Sequence, residues 1–348
     1  MKRYFKNKII LVTGGSGSIG SEIVKHLLKY NPKVIRVFSN DENAQFNLRQ
    51  QLREYDNIRY LLGDVRDKDR LNRAISGVDI LFHAAAFKHV PACEYNPFEA
   101  VQTNVIGTQN LIDAALNANI ERFVTISTDK ATNPINVLGA TKLLAERLTI
   151  SADYYKGHHK TIFCCVRFGN VLGSRGSVVE VFKEQIKRGG PLTITSSNMT
   201  RFIMNILRAV DLVLKATIHS IGGEIFILKM PAVRIDTLSK AMVEIYAPKH
   251  GYDPRKIKFK MSGVRSGEKF YEELMTEHEM EYLYETENMF VLVPPTIFPT
   301  YVKRYETTIK KCLNYKRILI PMYRSDKVHL LSINEIKKLL KGWEIVNV

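Results

Sequence analysis

The segment KIILVTGGSGSIG, residues 8–20, decides the fold class. An apolar run typical of a buried strand leads into a glycine-rich turn, after which a helix is predicted. Glycines in such a unit serve the tight turn, the close approach of backbone to a pyrophosphate and the packing of helix on strand. The segment therefore predicts the first unit of a nucleotide-binding α/β fold, with Gly14, Gly17 and Gly20 in the turn.

The first half of the chain continues this alternation of apolar strands and amphipathic helices. The pattern predicts a Rossmann-type doubly wound parallel sheet with helices on both faces. Ligands of such sheets bind at the carboxyl ends of the strands. The predicted strands are KIILVTG (8–14), KVIRVFS (33–39), IRYLLGD (58–64), DILFHAA (79–85), RFVTIST (122–128) and TIFCCVRF (161–168). The predicted helices lie near 18–30, 41–55, 67–76, 98–119 and 136–156.

The alternation loosens after about residue 170, which predicts a change of domain. We predict an NAD(P)-binding Rossmann domain over 1–170, to which some later segments return, a smaller C-terminal α/β substrate-binding domain over 171–295, and an appended segment over 296–348. The elements predicted after residue 170 are short strands at 192–195 and in EIFILK, helices near 206–220, 236–246 and 267–276, and in the tail one strand (VHLLSI) and one helix (NEIKKLLKG).

Composition indicates an ordinary globular protein of 348 residues, with 45% hydrophobic and 25% charged residues. Cys93, Cys164, Cys165 and Cys312 form no C-x-x-C pair and no metal-ligand spacing, so we expect neither a disulfide framework nor a metal site. No apolar run reaches the roughly 18 to 20 residues of a membrane span. The basic N-terminus leads into a strand rather than a signal peptide. These features predict a cytoplasmic protein without membrane contact.

The formal net charge of +16 raises the question of nucleic-acid binding. The lysines are scattered along the chain, often beside glutamates, and no basic stripe with interleaved aromatic residues appears. We therefore expect no nucleic-acid partner, while a basic surface would suit a phosphorylated small substrate. We also expect a homo-oligomer, either a dimer or a hexamer.

The cofactor choice depends on the end of the second predicted strand, where the chain reads Ser39-Asn40-Asp41-Glu42. An acidic residue there suits the free ribose hydroxyl of NAD, and a basic one suits the phosphate of NADP. Ser39 and Asn40 could donate to a phosphate, while Asp41 could instead cap the next helix. The sequence leaves NAD and NADP both open.

The stretch STDKATNPINVLGATK, residues 127–142, carries the candidate chemistry. Thr128, Asp129 and Lys130 end an apolar strand, and Lys142 follows on a predicted helix. A capping aspartate beside a solvated lysine is common at such loops, but Lys142 in the same cleft turns the pair into a constellation. Many enzymes with such a loop have a tyrosine four residues before the lysine, where this chain has Leu138.

Eight motifs together resemble the inverting UDP-N-acetylglucosamine 4,6-dehydratases, in the polysaccharide-biosynthesis group of the extended short-chain dehydrogenase/reductase superfamily. The resemblance runs from about residue 5 to 295, and STDKA followed by NPIN is its most specific part. The motifs are TGGSGSIG (13–20), GDVRD (63–67), HAAAFKHVP (83–91), STDKATNPINVLGATK (127–142), RFGNVLGSRGSV (167–178), MTRF (199–202), GGEIFILKMP (222–231) and RSGEKFYE (265–272).

The resemblance implies oxidation of the sugar at carbon 4, elimination of water across carbons 5 and 6, and return of the hydride to carbon 6 with inversion of carbon 5. A tightly bound NADP or NAD would be regenerated in each turnover. Asp129 would protonate the leaving 6-hydroxyl, and Lys130 would remove the carbon 5 proton. We expect Lys142 and the nicotinamide to lower the pKa of Lys130 by like-charge repulsion. Because Leu138 lacks a hydroxyl, Thr128 is the candidate that accepts the 4-hydroxyl proton.

The residues and the resemblance together give two sets of expected contacts. The cofactor set is Gly14, Ser16, Gly17, Ser18, Ile19, Gly20, Ser39, Asn40, Asp41, Asp64, Val65, Ala84, Ala85, Ala86, Lys88, Asn104, Ser127 and Lys142. The set for UDP-N-acetylglucosamine or a close UDP-sugar is Lys88, Thr128, Asn170, Val171, Arg175, Val178, Thr195, Arg201, Arg265 and Glu268.

Two other functions remain open from the sequence. A UDP-sugar 4-epimerase would use the same cofactor and Lys142, but it should need a tyrosine at the position of Leu138. A non-catalytic NAD(P)-binding protein would keep the fold, although the intact Asp129 and Lys130 argue against it.

Overall fold

A computed structural model describes residues 1–174, 176–264, 267–293, 316–320 and 322–346. Its centre is a ten-stranded sheet in the order β15-β13-β14-β10-β6-β5-β4-β1-β2-β3. The strands of this sheet are β1 (Ile9–Thr13), β2 (Val34–Ser39), β3 (Ile58–Leu62), β4 (Ile80–His83), β5 (Arg122–Thr128), β6 (Ile162–Phe168), β10 (Glu224–Leu228), β13 (Leu283–Glu285), β14 (Met289–Leu292) and β15 (Lys316–Arg317).

The strands from β3 to β10 pair in parallel, and β14, β13 and β15 extend the sheet in antiparallel fashion. The order β3-β2-β1-β4-β5-β6 is that of a Rossmann-type doubly wound sheet. Strand order reverses beside β1, so the crevice between β1 and β4 is the expected ligand site. The predicted fold class and the six strands of the first half are therefore confirmed.

Helices surround the sheets, and most of those that the sequence predicts begin close to the predicted positions, whereas the helices at 2–5, 90–95, 178–187 and 277–280 are not predicted from the sequence. They are α1 (Lys2–Phe5), α2 (Ser18–Leu28), α3 (Glu42–Gln51), α4 (Lys68–Ile75), α5 (Val90–Tyr95), α6 (Pro97–Val101), α7 (Gly107–Asn117), α8 (Val137–Tyr155), α9 (Val178–Lys187), α10 (Ile206–His219), α11 (Ile235–Tyr246), α12 (Glu277–Met280) and α13 (Ile333–Val346).

Two small sheets lie outside the central one. The first has the order β11-β9-β7 and the second pairs β12 with β8. A second apolar cluster, separate from the core of the large sheet, packs α9, α11 and α13 around these strands. The strands are β7 (Asn170–Leu172), β8 (Leu192–Ile194), β9 (Thr200–Asn205), β11 (Ala232–Arg234) and β12 (Phe259–Met261).

Three predictions of secondary structure are wrong in type or continuity. The predicted helix at 267–276 is absent, because this segment is held in an irregular course by bonds to the chain near Tyr323 and Ser325. The predicted strand VHLLSI is reduced to a single bridge between Leu330 and Ala232. The predicted helix at 98–119 is divided, since a π-helical turn, Gln102–Ile106, separates α6 from α7.

No helix of the described residues is both long enough and apolar enough to cross a membrane.

Candidate active site

A cleft of about 690 Å³ opens at the carboxyl ends of the parallel strands. The four predicted catalytic residues, Thr128, Asp129, Lys130 and Lys142, line it together. Every residue of the predicted cofactor set except Asn104 also lines it. The turns after β1, β2, β3, β4, β5 and β6 therefore converge on one cavity, as expected for a sheet of this topology.

The glycine turn leaves space for a ligand at the N-terminus of helix α2. Gly14 has a φ of +63°, and a Cβ there would lie 2.6 Å from the backbone nitrogen of Ala85. A Cβ on Gly17 would meet only the Gly14 carbonyl oxygen, at 3.0 Å, so the cleft side of Gly17 is open among the described residues. Gly17 also caps α2 without a side-chain hydrogen bond. The amides at the start of α2 can therefore receive the pyrophosphate of a dinucleotide.

Asn104 lies behind the wall of the cleft rather than in it. The side chain is 1% exposed, and its Oδ1 accepts from the Phe87 N–H at 2.8 Å. Its Nδ2 donates to the Phe87 carbonyl and, at 3.0 Å, to Thr141 Oγ1. Its amide thus links the segment that follows Ala84–Ala86 to α8, and a contact of Asn104 with the cofactor stays a prediction.

The ribose end of the cleft is polar and internally paired. Asp41 Oδ1 accepts from the Ala44 N–H at 2.9 Å, so Asp41 caps α3. Asn40 Nδ2 donates to Asp64 Oδ2 at 3.1 Å, and Arg66 lies 2.8 Å from the same oxygen. Burial alone would raise the pKa of Asp64, but the bonds from Arg66 and Asn40 lower it overall. The sequence reading missed Arg66, which reaches this site from the turn after β3.

Asp129 is the buried centre of the catalytic turn. It follows β5 directly in a short 3-10 turn and is 0% exposed. Its Oδ1 accepts from Thr128 Oγ1 at 2.8 Å and from Lys130 Nζ at 3.0 Å. Its Oδ2 is buried without a hydrogen-bond partner among the described residues. Gly169 leaves space there, since a Cβ on Gly169 would lie 3.2 Å from that oxygen. A buried carboxylate oxygen in this state can meet a ligand hydroxyl.

Lys130 lies between two carboxylates rather than beside the ammonium of Lys142. Besides Asp129, its Nζ lies 3.7 Å from Glu272 Oε1, and Arg201 Nε lies 3.6 Å from the same oxygen. Burial lowers the pKa of Lys130, but attraction to Asp129 and Glu272 outweighs burial and raises it. The expectation of a lowered pKa is therefore wrong for the protein alone. Lys142 is not among the main influences on the pKa of Lys130, because its ammonium donates to the Ile126 carbonyl.

Glu272 is a second candidate, after Arg66, that the sequence does not predict. It is 3% exposed, and burial is the main cause that raises its pKa. Its signal in the sequence is its place as the last residue of the motif RSGEKFYE, in which the resemblance points only to Arg265 and Glu268.

Lys142 and Leu138 lie one turn apart on α8, and both line the cleft. Lys142 Nζ donates to the Ile126 carbonyl at 2.6 Å, and burial lowers its pKa. Leu138 is 4% exposed and packs in a small apolar cluster with Cys93 and Ala100. The part of the cleft wall where many such enzymes have a tyrosine hydroxyl is therefore apolar in this protein.

The expected substrate residues divide between two cavities. Lys88, Thr128, Asn170 and Val171 line the main cleft. Arg201 and Glu268, again with Asn170, line a smaller adjoining cavity of about 150 Å³ that also reaches Lys130 and Glu272. The remaining members of the set are Val178, which begins α9 and packs on the second core, Thr195, which donates to Met199 Sδ, and Arg175 and Arg265, which lie outside the described residues.

The strand order, the glycine turn and the Thr-Asp-Lys turn define the class: a Rossmann-type protein with the fold of extended short-chain dehydrogenase/reductases. A model of the polysaccharide biosynthesis protein family matches residues 10–294, so the chain belongs to that family.

Similar proteins cover almost the whole chain. An uncharacterized membrane protein of Methanocaldococcus jannaschii is 58% identical over 98% of this chain and 97% of its own length. A UDP-glucose 4-epimerase of Rickettsia prowazekii is 39% identical over 97% and 96%. The X-ray structure of Pen from Bacillus thuringiensis superposes with a TM-score of 0.89 at 43% identity, covering 97% of this chain and 98% of that one.

A more distant structure shares the fold alone. The dTDP-glucose 4,6-dehydratase DesIV from Streptomyces venezuelae, with NAD and TYD bound, has a TM-score of 0.69 at 19% identity, and 97% of each chain is covered.

Proposed function

We propose that this chain is a nucleotide-sugar enzyme of polysaccharide biosynthesis, and specifically a UDP-N-acetylglucosamine 4,6-dehydratase. Its product would be a UDP-4-keto-6-deoxy-N-acetylhexosamine with carbon 5 inverted. The observation that carries the proposal is the buried turn in which Asp129 Oδ1 meets both Thr128 Oγ1 and Lys130 Nζ. Elimination of water needs an acid and a base at adjacent carbons, and this pair supplies both.

The cofactor would be NAD or NADP, held tightly at the glycine turn. When bound, it supplies the hydride acceptor at carbon 4 and returns the hydride to carbon 6. The open side of Gly17 and the uncapped start of α2 suit its pyrophosphate. Ser127 Oγ is buried in the cleft wall without a partner among the described residues and suits a polar group of the same ligand. Because the cofactor is regenerated in each turnover, we expect it to stay bound through purification.

The acid role of Asp129 and the base role of Lys130 depend on the proton that the two side chains share. Lys130 and Asp129 form an ion pair in the protein alone, with Nζ and Oδ1 3.0 Å apart. Movement of one proton from Nζ to Oδ1 converts this pair into a neutral amine and a neutral carboxylic acid. Lys130 then takes the carbon 5 proton, which the ketone at carbon 4 makes acidic, while Asp129 protonates the 6-hydroxyl as the C6–O bond breaks. Water leaves, and the ion pair is restored. Carbon 5 would then take a proton from solvent on the face opposite Lys130, which balances the proton that the 4-hydroxyl released.

Thr128 is the proposed route for the 4-hydroxyl proton. Its Oγ1 donates to Asp129 Oδ1 at 2.8 Å, which fixes the hydroxyl at the end of β5. Because Asp129 holds the proton that it took from Lys130, the proton that Thr128 accepts from the sugar would pass on to solvent. Leu138 has no hydroxyl to take this part. Lys142, held to the Ile126 carbonyl, would donate to the nicotinamide ribose.

The UDP part of the substrate would lie over the smaller cavity. Arg201 presents a guanidinium there, and Glu268 Oε2 is buried without a partner among the described residues. Arginine suits a diphosphate, and a carboxylate can accept from ribose hydroxyls. We keep the expectation that the protein assembles as a homo-oligomer.

A UDP-sugar 4-epimerase is the second candidate, favoured by the similarity to the UDP-glucose 4-epimerases of Rickettsia. It would oxidise and reduce carbon 4 without breaking the C6–O bond. A buried acid and base one residue apart have no task in that reaction, which is why we place it second. The third candidate, a non-catalytic NAD(P)-binding protein, leaves the same pair unexplained.

The deciding experiment incubates the protein with UDP-N-acetylglucosamine, and separately with UDP-glucose, in deuterated water. Loss of water with uptake of deuterium at carbon 5 supports the dehydratase. An isomer of unchanged elemental composition indicates the epimerase, and no reaction with a reducible bound cofactor indicates the binding protein.

The matched variants are Lys130→Met and Lys215→Met. Lys130→Met should abolish water loss while the cofactor content stays at the parent level. Lys215, on α10 and paired with Asp211 at the surface, provides the control and should leave the rate unchanged. Water loss by Lys130→Met near the parent rate would refute the assigned base.

A further inference from the structure

Glu272 is a buried carboxylate beside the catalytic turn, and the reaction proposed above assigns it no step. Its Oε1 lies between two cations, 3.7 Å from Lys130 Nζ and 3.6 Å from Arg201 Nε. Its Oε2 is buried and has no hydrogen-bond partner among the described residues. The carboxylate therefore links the smaller cavity, where Arg201 lies, to the pair of Lys130 and Asp129 in the main cleft.

The C-terminal segment fixes the backbone of Glu272. The Glu272 N–H donates to Ser325 Oγ, and the Ser325 N–H donates to the Glu272 carbonyl, both at 2.9 Å. Ser325 is 0% exposed, and its Oγ also lies 2.7 Å from Thr200 Oγ1, next to Arg201 in β9. One buried hydroxyl thus joins the two backbones that carry Glu272 and Arg201, which limits how far the carboxylate can move from Lys130.

We propose that Glu272 is a positioning residue whose carboxylate, shared between Lys130 and Arg201, holds the Lys130 ammonium against Asp129 in its charged form. Its part in the reaction rests on the proposed function. Lys130 and Asp129 hold one proton between them, and elimination needs that proton for the leaving hydroxyl. Glu272 retains the proton at alkaline pH, where the pair without this second carboxylate would release it to water.

The charges around Lys130 are consistent with a role of Glu272 in keeping Lys130 protonated. Burial opposes the charged form of Lys130, as does Arg201, whereas Asp129 and Glu272 favour it and raise its pKa overall. For Glu272, burial and the nearby Asp129 raise the pKa, while Lys130, Arg201 and Lys269 oppose that rise. Lys269 is itself held by the Thr132 carbonyl, at 2.7 Å.

The test measures the titration of Lys130 directly. The full-length protein is labelled with ¹³C at lysine Cε, and the Lys130 signal is assigned by its loss in Lys130→Met. The pH at the midpoint of this signal's shift is compared for the parent, Glu272→Gln, Glu272→Asp and the control Glu273→Gln. Glu273 is adjacent in sequence, but its carboxylate accepts from Asn133 Nδ2, so its replacement should leave the midpoint unchanged.

In Glu272→Gln we expect the Lys130 midpoint to fall by about one pH unit or more, the low end of the effect of one opposite charge at this separation. Glu272→Asp keeps the negative charge but moves it farther from Lys130, because the side chain is shorter. We therefore expect the Lys130 midpoint to fall by less than in Glu272→Gln. The alkaline limb of kcat/KM against pH should move in the same order, whereas a merely structural loss would lower kcat/KM at every pH without moving the limb.

A Lys130 midpoint that is unchanged in folded Glu272→Gln would overturn the proposal. Should Glu272→Gln not fold, an unchanged midpoint in Glu272→Asp would overturn it equally. Because the titration needs no substrate, a midpoint that falls in a protein without dehydratase activity supports the position of Glu272 while refuting the proposed function.

Discussion

Replacing Gly139 by alanine tests whether the catalytic turn depends on its contact with α8. Gly139 lies in the first turn of that helix, and its N–H donates to Asn136 Oδ1 at 2.8 Å. A Cβ added there would overlap the backbone carbonyl of Lys130 and lie 3.0 Å from Pro134 Cβ. The carbonyl cannot rotate away as a side chain could, so the helix and the catalytic turn must separate.

The size of the effect follows from this overlap. Relief needs a displacement on the order of 1 Å, and misplacement of this size can lower a rate by about 100-fold. Overpacking of a well-packed site typically costs about 1 to 3 kcal/mol of folding free energy. We therefore expect Gly139→Ala to lose about 100-fold in rate and to unfold at a lower urea concentration, while Gly17 and the rest of the cofactor turn remain unaltered.

The assay is the initial rate of 4-keto-6-deoxy sugar formation, measured beside urea unfolding and cofactor content. Gly342→Ala is the control, because a Cβ on this helical glycine meets no atom within 4 Å among the described residues. We expect it to keep the parent rate and to gain up to about 1 kcal/mol of stability. A Gly139→Ala protein that works within about twofold of the parent would show that the contact does not position Lys130.

Two further measurements bear on the same cleft, and a third concerns the buried His83 of β4. Thr128→Val should lose activity by about 100- to 10,000-fold, the usual range for a proton-transfer group. Leu138→Tyr should change the same initial rate by less than roughly tenfold, about 1.4 kcal/mol in the barrier, because the added phenol repeats a task already performed; a gain of about 100-fold or more would identify the parent as an impaired enzyme. Burial lowers the pKa of His83 from 6.5 to about 3, so the native state binds fewer protons than the unfolded chain in this window and stability is lost as pH falls through it. The contribution amounts to about 2 kcal/mol between pH 6.5 and 5; in urea unfolding, the loss of stability from pH 7 to pH 5 should be larger by about this amount in the parent than in His83→Asn.

Local sequence determined the strands, most helices and the glycine turn. The composition of apolar runs such as IILV favours buried strands, and glycine at position 14 permits the positive φ of the turn. The order of these units along the chain then brings their carboxyl ends to one edge of a parallel sheet. That is why the sequence could place Thr128, Asp129, Lys130 and the cofactor turn in one cleft.

Sequence periodicity failed where distant segments supply the hydrogen bonds. The run EKFYEELM, residues 268–275, has the composition of a helix, yet Glu272 and Leu274 bond to the backbone and hydroxyl groups of Tyr323 and Ser325 instead. Those bonds satisfy the backbone without a helix, so tertiary contacts override local propensity.

The protonation state of the catalytic lysine was likewise decided by tertiary structure. From the sequence, Lys142 was the charged neighbour expected near Lys130, and the pKa of Lys130 was expected to fall. In the folded chain Lys142 is bonded to the Ile126 carbonyl, and Glu272, 142 positions along the chain from Lys130, lies 3.7 Å from its ammonium. Electrostatic interaction depends on distance in space and on burial, and neither quantity is carried by the order of residues.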